Sequence, residues 1–506
     1  MTQPDISPPK SPLVTALNEL VRTQDRWCTP SILQDQHQVK NEYDDVSVSV
    51  GALGSLLQHS IYFEEAEKFA AQVYGADRTF LSPHGSTGAN AILLRMLALK
   101  RRDALVLVAR NVHHSIINAL KMFSIDFRFL PDPDYSSRFE AIMPPRITDV
   151  IAGLSRYPEA LAVIYTSPTY EGLTADTVGI SHVIHEFRPD LIIAVDEAWG
   201  GHLPFHSELP EAAMTSGADI CVQSTHKMAG SLQQGALIHW NEERVDSITM
   251  GEAYREYVTT SPSYHLLGSV DASLRLLKER GREYLDGSIK RSATLREALA
   301  ASLPALEILG VTNERQYSSS RRLDPIKTTL GLSRYGVSGF ALAKNLAENG
   351  IIVERAGLNS VVLVTTFQLP DGAVDRAVNA VTESLQGKEV PEGRIKTLPR
   401  DPFGACSGPQ NMRPYEVVRY ANRLGVEVPL NEAIGRIAAE SVELYPPGIP
   451  LLLEGYKVTR EAVTYLQAAL EEGAQLVARD PSLAGLRVLG RSESPEDLDA
   501  NAFQMW

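Results

Sequence analysis

Two apolar runs in the middle of the chain each lead to a residue that could do chemistry. The run 191–195 ends at Asp196, and the shorter run 220–222 leads into a hydroxyl-rich turn that carries Lys227. In an open α/β sheet, ligands bind outside the carboxyl ends of the strands. An amine there can form a Schiff base, and a carboxylate can pair with a pyridinium nitrogen. Each residue alone has an ordinary explanation, as a solvated loop lysine or a helix N-cap. Together they predict a site for pyridoxal phosphate (PLP).

A second motif lies between a predicted strand and a predicted helix near the start of the chain. Its turn contains Gly85, Ser86, Thr87 and Gly88. Backbone N–H groups and the positive end of a helix attract anions, and the hydroxyls add donors. The turn therefore predicts a phosphate site, although no lysine follows the second glycine as it does in a P-loop. The alternative is an ordinary helix N-cap formed by Ser86 or Thr87.

Strand-like and helix-like patterns alternate through the first half of the chain. Because the candidate motifs follow predicted strands, this alternation predicts an α/β fold with a doubly wound, mostly parallel sheet. The predicted strands are 104–109, 161–165, 191–196, 219–222 and 236–240, and the predicted helices are 13–22, 61–74, 91–99, 113–122 and 180–187.

Changes in composition predict four segments: an N-terminal segment 1–55, a large domain 56–300, a small α+β domain 301–390 and a C-terminal domain 391–506. Residues 1–12 and the acidic stretch after Arg491 are predicted to be loose tails, and the Pro- and Gly-rich stretch 387–414 is predicted to be a linker. Two helices are expected in the C-terminal domain, at 415–424 and 459–477.

Charge and cysteine usage narrow the classes of partner. The formal net charge of -14 disfavours nucleic acid and anionic membranes as partners, and it is compatible with a cationic substrate. The three cysteines, Cys28, Cys221 and Cys406, are too widely spaced for a zinc site or a disulfide framework, so we expect no metal and a reducing compartment. Neither a secretory signal nor a long apolar run is visible, and a cytoplasmic protein is expected.

Five motifs together resemble the Orn/Lys/Arg decarboxylase family, PLP enzymes of the aspartate aminotransferase fold (fold type I). The chain is similar to the shorter form, which lacks an N-terminal wing domain, and the resemblance covers roughly residues 55–475. It predicts a large PLP domain with smaller α+β domains. The motifs are Thr166-Ser167-Pro168-Thr169-Tyr170, Val195-Asp196-Glu197-Ala198, Ser224-Thr225-His226-Lys227, Thr260-Ser261-Pro262-Ser263-Tyr264 and Tyr445-Pro446-Pro447-Gly448-Ile449-Pro450.

The resemblance implies a role for each residue that matches a family motif. Lys227 would be the Schiff-base lysine, Asp196 would hold the pyridinium N–H, and Ala198 would pack on the cofactor ring. His113, in the run Val112-His113-His114-Ser115, would stack on the ring, where a histidine restricts tilt and can donate protons. From its spacing alone, His113 could equally be a surface histidine with satisfied hydrogen bonds.

The remaining matches concern the cofactor phosphate and the partner subunit. Ser86 and Thr87 match the phosphate-binding turn, and Ser224 and His226 match the residues that flank the phosphate before the lysine. The segment from Ser261 to Tyr264 implies a homodimer or larger oligomer with shared active sites, because in the family it reaches the site of the other subunit.

Three departures from the family pattern affect the expected reaction. The Pro-Gly-His-Lys motif of the family is missing from the stretch 28–33. Glu454-Gly455-Tyr456 stands where the family has Pro-Gly-Glu, and Val112 and His114 replace the usual Cys and Lys beside the ring-stacking histidine. PLP binding should survive these changes, but they leave open which bond of the substrate is broken.

The first expectation is decarboxylation of arginine, lysine or ornithine, as in polyamine biosynthesis, with Lys227 or His113 protonating the carbanion. Glu171 and Glu354 follow predicted strands and are candidates for meeting the distal cation of the substrate. The departures leave open transamination, elimination or cyclisation of an arginine-like substrate. A non-catalytic regulator with a PLP fold is a third reading, and the presence of both Lys227 and Asp196 counts against it.

Overall fold

The computed structural model describes residues 11–23, 46–131, 133–310, 322–367, 369–390, 399, 401–404 and 410–490. Several predictions fall outside this range: the tail 1–10, the entry residues 24–45 with Cys28, most of the 387–414 linker with Cys406, and the acidic tail from Arg491. Cys221 is buried and has a free thiol. Cys28 and Cys406 lie outside the described residues, so the expectation that they form neither a disulfide nor a zinc site stays a prediction.

Helices and strands alternate through the first three hundred residues. In chain order they are α1 (Pro12–Thr23), α2 (Tyr62–Tyr74), β1 (Arg78–Ser82), α3 (Gly85–Lys100), β2 (Leu105–Val108), α4 (His114–Met122), β3 (Asp126–Phe129), β4 (Tyr135–Ser136), β5 (Ala141–Ile142), α5 (Ile147–Arg156), β6 (Ala162–Thr166), α6 (Thr177–Phe187), β7 (Ile192–Asp196), β8 (Ile220–Ser224), α7 (Thr225–Met228), β9 (Ala236–Trp240), α8 (Ser247–Tyr257) and α9 (Tyr264–Ser302).

The second part of the chain has shorter elements. They are β10 (Glu307–Ile308), β11 (Lys327–Gly331), α10 (Gly339–Glu348), β12 (Arg355–Ala356), β13 (Ser360–Val364), α11 (Ala373–Leu385), α12 (Pro414–Leu424), β14 (Gly425–Val428), β15 (Val442–Leu444), β16 (Ile449–Leu452), α13 (Arg460–Glu471), β17 (Leu476–Val477) and β18 (Leu486–Leu489).

The chain divides into two compact units that interleave along the sequence. The first unit lies within Met1–Arg102, Thr166–Pro168 and Asp176–Ser288, and the second lies within Asp103–Tyr165, Thr169–Ala175 and Ile289–Trp506. The four segments expected from composition are consecutive along the chain, whereas these two units each combine separate stretches of it. The four-segment division stays a prediction.

The first unit carries four adjacent strands in the order β1-β9-β8-β7. Strands β7 and β8 are parallel, with Asp196 opposite Val222, whereas β9 runs antiparallel to both β8 and β1. Every residue of β7, β8 and β9 is buried, as expected for strands covered on both faces. Helix α3 packs on β1, β8 and β9. The carboxyl ends of β7 and β8 therefore point the same way.

The second unit contains three parallel neighbouring strands and several antiparallel sheets. Strands β6, β2 and β3 are parallel neighbours, and β10-β11-β13-β12 form an antiparallel sheet. Helices α9, α10 and α11 contribute to an apolar core that includes Leu299, Leu342 and Val381. A separate core around Val442, Leu451 and Leu466 holds the C-terminal strands and α13.

The structure contains the helices and strands predicted for the first half of the chain, but it also has β3, β4, β5 and α5 there, which were not predicted. Helix α3 begins at Gly85, earlier than its predicted start at residue 91. The helix predicted over 459–477 is too long, because α13 ends at Glu471 and Gly473, at φ 83, turns the chain toward β17. Two- to four-residue strands such as β4, β10 and β14 carry too few residues for a periodic pattern.

Candidate active site

Asp196 is the last residue of β7 and is almost completely buried. Its Oδ2 accepts a hydrogen bond from Asn90 Nδ2 at 3.2 Å, and its Oδ1 accepts one from the Ala198 backbone N–H at 3.2 Å. Both donors are neutral. Burial raises the pKa of Asp196, while the charge of Lys227 and the two donors lower it. The carboxylate is thus arranged to receive one more donor, preferably a cation.

Lys227 lies on α7, the short helix that follows β8. Its Nζ is 4.4 Å from the centre of the Trp199 ring, which is close enough for a cation–π interaction. Trp199 stands three residues beyond Asp196, after the parallel neighbour β7. The amine and the carboxylate therefore follow adjacent parallel strands at the same end of the sheet, as the sequence predicts.

The Ser224-Thr225-His226 run links β8 to α7. The Ser224 side chain is fully buried, and its Oγ has no hydrogen-bond partner among the described residues. Thr225 Oγ1 instead pairs with Ser231 Oγ at 2.7 Å. His226 Nδ1 must donate to the Gly235 carbonyl oxygen at 3.0 Å, since an oxygen of this kind only accepts. Burial lowers the pKa of His226, so its ring is held neutral with the Nε2 lone pair available as an acceptor.

Ser86 and Thr87 lie in the first turn of α3, where backbone N–H groups have no partner within the helix. The N-cap position is occupied by His84, whose side chain makes no capping bond. The alternative that Ser86 or Thr87 is an ordinary N-cap is therefore wrong. Gly85 adopts φ +65, and its N–H donates to the Gln234 carbonyl at 2.8 Å. The Ser86 side chain is partly buried, and that of Thr87 is exposed.

Backbone contacts join these segments within the first unit. Gly235 follows Gln234, and its carbonyl accepts a hydrogen bond from the Thr225 N–H at 3.0 Å. The start of α3 is thus tied, through two consecutive residues, to the turn that carries Lys227. Asn90, one turn into α3, connects the same helix to Asp196. Three sequence motifs that lie far apart along the chain therefore converge at one end of one sheet.

Ser261 is exposed in a turn between α8 and α9, and its N–H donates to Thr259 Oγ1 at 3.2 Å. The Thr259 N–H in turn donates to His84 Nε2 at 3.0 Å. The segment that contains Ser261 is thereby fixed to the residue that precedes α3.

His113, in the second unit, is the N-cap of α4 and is partly buried. The Ser115 backbone N–H donates to His113 Nδ1 at 3.2 Å. Because a backbone N–H can only donate, Nδ1 is the acceptor, and the neutral ring carries its proton on Nε2. The hydroxyl of Ser115 also lies 2.9 Å from Nδ1. The ring is thus anchored through one nitrogen and presents a proton on the other.

The two acidic candidates for the substrate's distal cation have different surroundings in the second unit. Glu171 is buried and lies 3.4 Å from Arg355 Nη2, so a protein cation already balances its charge. Glu354 is partly buried. Burial, with the nearby Glu354 carboxylate as the next cause, raises the pKa of the Tyr170 hydroxyl.

Sequence reasoning missed Asn90 and Trp199, which touch the predicted pair directly. Both have a recognisable signal: Asn90 is a polar residue in an otherwise apolar helix directly after the phosphate-type turn, and Trp199 ends the run Asp196-Glu197-Ala198-Trp199. Among the residues the structure describes, no cluster of His, Cys, Asp and Glu is arranged to hold a metal ion. No described helix has the length and apolar character needed to cross a membrane.

Comparison with protein families identifies matches over most of the chain. Residues 42–370 match the family model described as Orn/Lys/Arg decarboxylase, major domain, and residues 404–491 match the corresponding C-terminal domain. A similar curated protein is an arginine decarboxylase of Bacillus subtilis (strain 168), which is 32% identical over 84% of this chain and 85% of its own length. Lysine decarboxylase LdcA of Pseudomonas aeruginosa is 27% identical, over 84% of this chain and 69% of its own.

A solved structure with the same overall fold is lysine decarboxylase A from Pseudomonas aeruginosa. It aligns with a TM-score of 0.77 and 23% identity, over 95% of this chain and 80% of that one. This likeness confirms the expected fold class, the α/β architecture of PLP fold type I.

Proposed function

Because this chain belongs to the Orn/Lys/Arg decarboxylase family and is an amino-acid decarboxylase that acts on a basic amino acid, we propose that it works with PLP held between Asp196 and Lys227. The observation that carries the proposal is the buried Asp196 carboxylate, which has two neutral donors and follows the strand beside the one that leads to Lys227. A pyridinium N–H would place a further positive charge beside this carboxylate.

The residues near Lys227 also fit a phosphate group. The Ser224 hydroxyl is buried and has no hydrogen-bond partner in the part of the chain that the structure describes, which costs free energy unless a ligand satisfies it. The first turn of α3 offers the N–H groups of Ser86 and Thr87 to an anion. His226 is held neutral by burial, so its ring adds no positive charge to this phosphate site.

When bound, PLP supplies the electron sink that stabilises the carbanion left at Cα after carbon dioxide departs. Asp196 keeps the ring nitrogen protonated, because a negative charge close by favours the protonated form. Lys227 Nζ holds the cofactor when no substrate is bound, and Ala198 packs on the ring. Lys227 Nζ or His113 Nε2 returns the proton to Cα.

We propose arginine as the first substrate to test, because the relatives of higher identity include an arginine decarboxylase. Glu171, which lies 3.4 Å from Arg355 Nη2, and Glu354 are both proposed to meet the distal cation. We also propose a homodimer or larger oligomer, with Ser261 of one chain at the site of another, and a cytoplasmic location on the basis of the cysteine usage.

The test is incubation of the purified protein and PLP with arginine, lysine and ornithine, followed by mass spectrometry of the products. An amine that has lost one carbon dioxide is the expected product. The Lys227→Ala variant should form none, whereas Lys278→Ala, which removes an exposed lysine from α9, should match the unmodified protein. A keto acid or a cyclised product would instead support transamination, elimination or cyclisation, the alternative that the motif departures leave open.

A further inference from the structure

The hairpin formed by β15 and β16 packs against the start of α4, where His113 lies. The Gly448 carbonyl accepts a hydrogen bond from the His114 backbone N–H at 2.8 Å. The His114 ring also hydrogen-bonds through Nδ1 to the buried Glu443 carboxylate on β15. Arg110, which precedes α4, donates to the carbonyl of Pro450 on β16. Three separate polar contacts therefore join the hairpin to the segment that carries His113.

Gly448 makes the closest approach of the hairpin to the His113 ring. A Cβ added at Gly448 would lie 2.9 Å from His113 Nε2 and 3.0 Å from its Cδ2. Real Cβ atoms essentially never come this close to another heavy atom, so any side chain here would displace the ring. The φ of +75 at Gly448 also favours glycine. The absence of a side chain at this position thus leaves the space that the imidazole fills.

We propose that Gly448 is a positioning residue for His113, and that the hairpin of β15 and β16 holds the imidazole in the orientation needed for stacking on the cofactor. The inference rests on the proposed function, because the orientation of His113 matters to the reaction only if the ring lies on PLP. It gives a role to the Tyr445-Pro446-Pro447-Gly448 motif, and it makes the C-terminal part of the chain a support for a residue that comes more than three hundred positions earlier.

The contacts of His113 define the orientation that the hairpin preserves. Ser115 holds Nδ1 from one side, and Gly448 lies against Nε2 and Cδ2. A ring confined in this way can rotate little about its side-chain bonds. A methyl group at position 448 would push the Nε2 edge away from the hairpin and tilt the ring face, while the Ser115 anchor keeps the other edge in place.

The experiment compares Gly448→Ala with Gly473→Ala. Gly473 has φ +83, so both variants impose similar backbone strain, but an added Cβ at Gly473 would meet nothing within 4 Å. PLP is titrated into each apoprotein, and the circular dichroism of the bound cofactor is recorded. Because contacts between stacked aromatic rings are modest, Gly448→Ala should weaken PLP binding about two- to tenfold. It should also change the cofactor dichroism and lower kcat, whereas Gly473→Ala should match the unmodified protein in all three.

A double-mutant cycle tests whether the effect passes through His113. His113→Ala removes the ring, so Gly448→Ala should cause no further loss of PLP affinity or kcat in that background. If Gly448→Ala fails to fold, the double variant should recover folding, because the obstacle to the added methyl is gone. Additive losses in the cycle, or an unfolded double variant, would overturn the inference.

Failure of this inference can be told apart from failure of the proposed function. If the unmodified protein neither binds PLP nor decarboxylates a basic amino acid, the proposed function is wrong. If the unmodified protein does both and Gly448→Ala behaves like Gly473→Ala, the function stands and the positioning role of Gly448 is wrong.

Discussion

Asp196 is a buried carboxylate whose ionisation depends on the charges near it. Its two hydrogen-bond donors are uncharged, and burial raises its pKa while the charge of Lys227 lowers it. A protonated pyridine ring would complete the set, and the electron sink would then depend on the charge at this position.

The variant Asp196→Asn tests that dependence. The asparagine should fold and retain PLP, because its shape is the same, but it should leave the ring nitrogen largely neutral. We expect a loss of roughly 10³-fold in kcat, about 4 kcal/mol at 1.36 kcal/mol per tenfold. The measurement is kcat together with PLP content, with the exposed Asp190→Asn as the control. Turnover near that of the unmodified protein would remove Asp196 from the proposed role.

A buried chain of side chains in the first unit gives a pH-dependent stability. Glu197 accepts a hydrogen bond from Gln223, and Gln223 Oε1 lies 3.1 Å from His239 Nε2. Burial raises the pKa of Glu197 to about 7 and lowers the pKa of His239 to about 3. The depressed pKa of His239 removes stability as pH falls from about 6.5 toward 3, because the unfolded chain binds a proton that the folded chain rejects. The raised pKa of Glu197 removes stability as pH rises from about 4.5 to 7.

These opposing slopes should be separable with His239→Gln. Relative to this variant, the unmodified protein should lose up to about 1.4 kcal/mol of unfolding free energy per pH unit as pH falls from 6.5 to 4. Denaturant unfolding of both apoproteins at several pH values measures the difference. A difference in unfolding free energy that stays constant across this range would mean that His239 takes up its proton in the folded protein over the same pH range as in the unfolded chain.

At the level of secondary structure, the junction of β8 and α7 carries two neighbouring hydroxyls that differ in their hydrogen bonding. Ser224 Oγ has no partner in the described part of the chain, whereas its neighbour Thr225 is bonded to Ser231. An unpaired buried hydroxyl costs stability, so it is retained where a ligand uses it. The junction is therefore a candidate contact of the cofactor phosphate.

Ser224→Ala and Thr225→Val should separate ligand binding from folding. Ser224→Ala removes a hydroxyl that stabilises nothing in the apoprotein, so its apo melting temperature should not fall. Its PLP affinity should drop about tenfold or more, since hydrogen bonds to charged groups contribute about 1.5–3 kcal/mol. Thr225→Val should instead lower the apo melting temperature through loss of the bond to Ser231. Equal PLP affinity in Ser224→Ala and the unmodified protein would place the phosphate elsewhere.

For the whole molecule, the open question is whether each site is built from one chain or two. Ser261 is exposed in its own chain, close in sequence to Tyr264, whose buried hydroxyl donates to the Gly54 carbonyl at 3.2 Å. An exposed serine on a fixed segment is suited to contact a second subunit, and a closed twofold interface places the same segment of each chain at the other's site.

Mixing two inactive variants, Lys227→Ala and Ser261→Tyr, tests the shared site. If sites are shared, a mixed dimer has one site with both lesions and one site with none. After subunit exchange, activity should return to about a quarter of the unmodified value, since about half the dimers are mixed and half their sites are intact. No recovery in proven mixed dimers would mean that each chain carries a complete site.

Residue type and strand-end position are enough to predict much of this protein from sequence. The apolar runs before Asp196 and Lys227 predicted buried strands, and a family resemblance built on five motifs predicted the fold class and the reaction class that the comparisons confirm. These features are local, because a strand's burial and the residue at its end are both written in a few consecutive positions.

The tertiary structure alone decided which neighbours complete the site. Asn90 reaches Asp196 because α3 packs across the sheet, and Gly448 reaches His113 because a C-terminal hairpin folds back on α4. Neither contact has a sequence spacing that could reveal it, since both join segments separated by more than a hundred residues. Nor does the sequence reveal that Ser224 has no hydrogen-bond partner among the described residues, because only packing determines which buried hydroxyl is left unpaired.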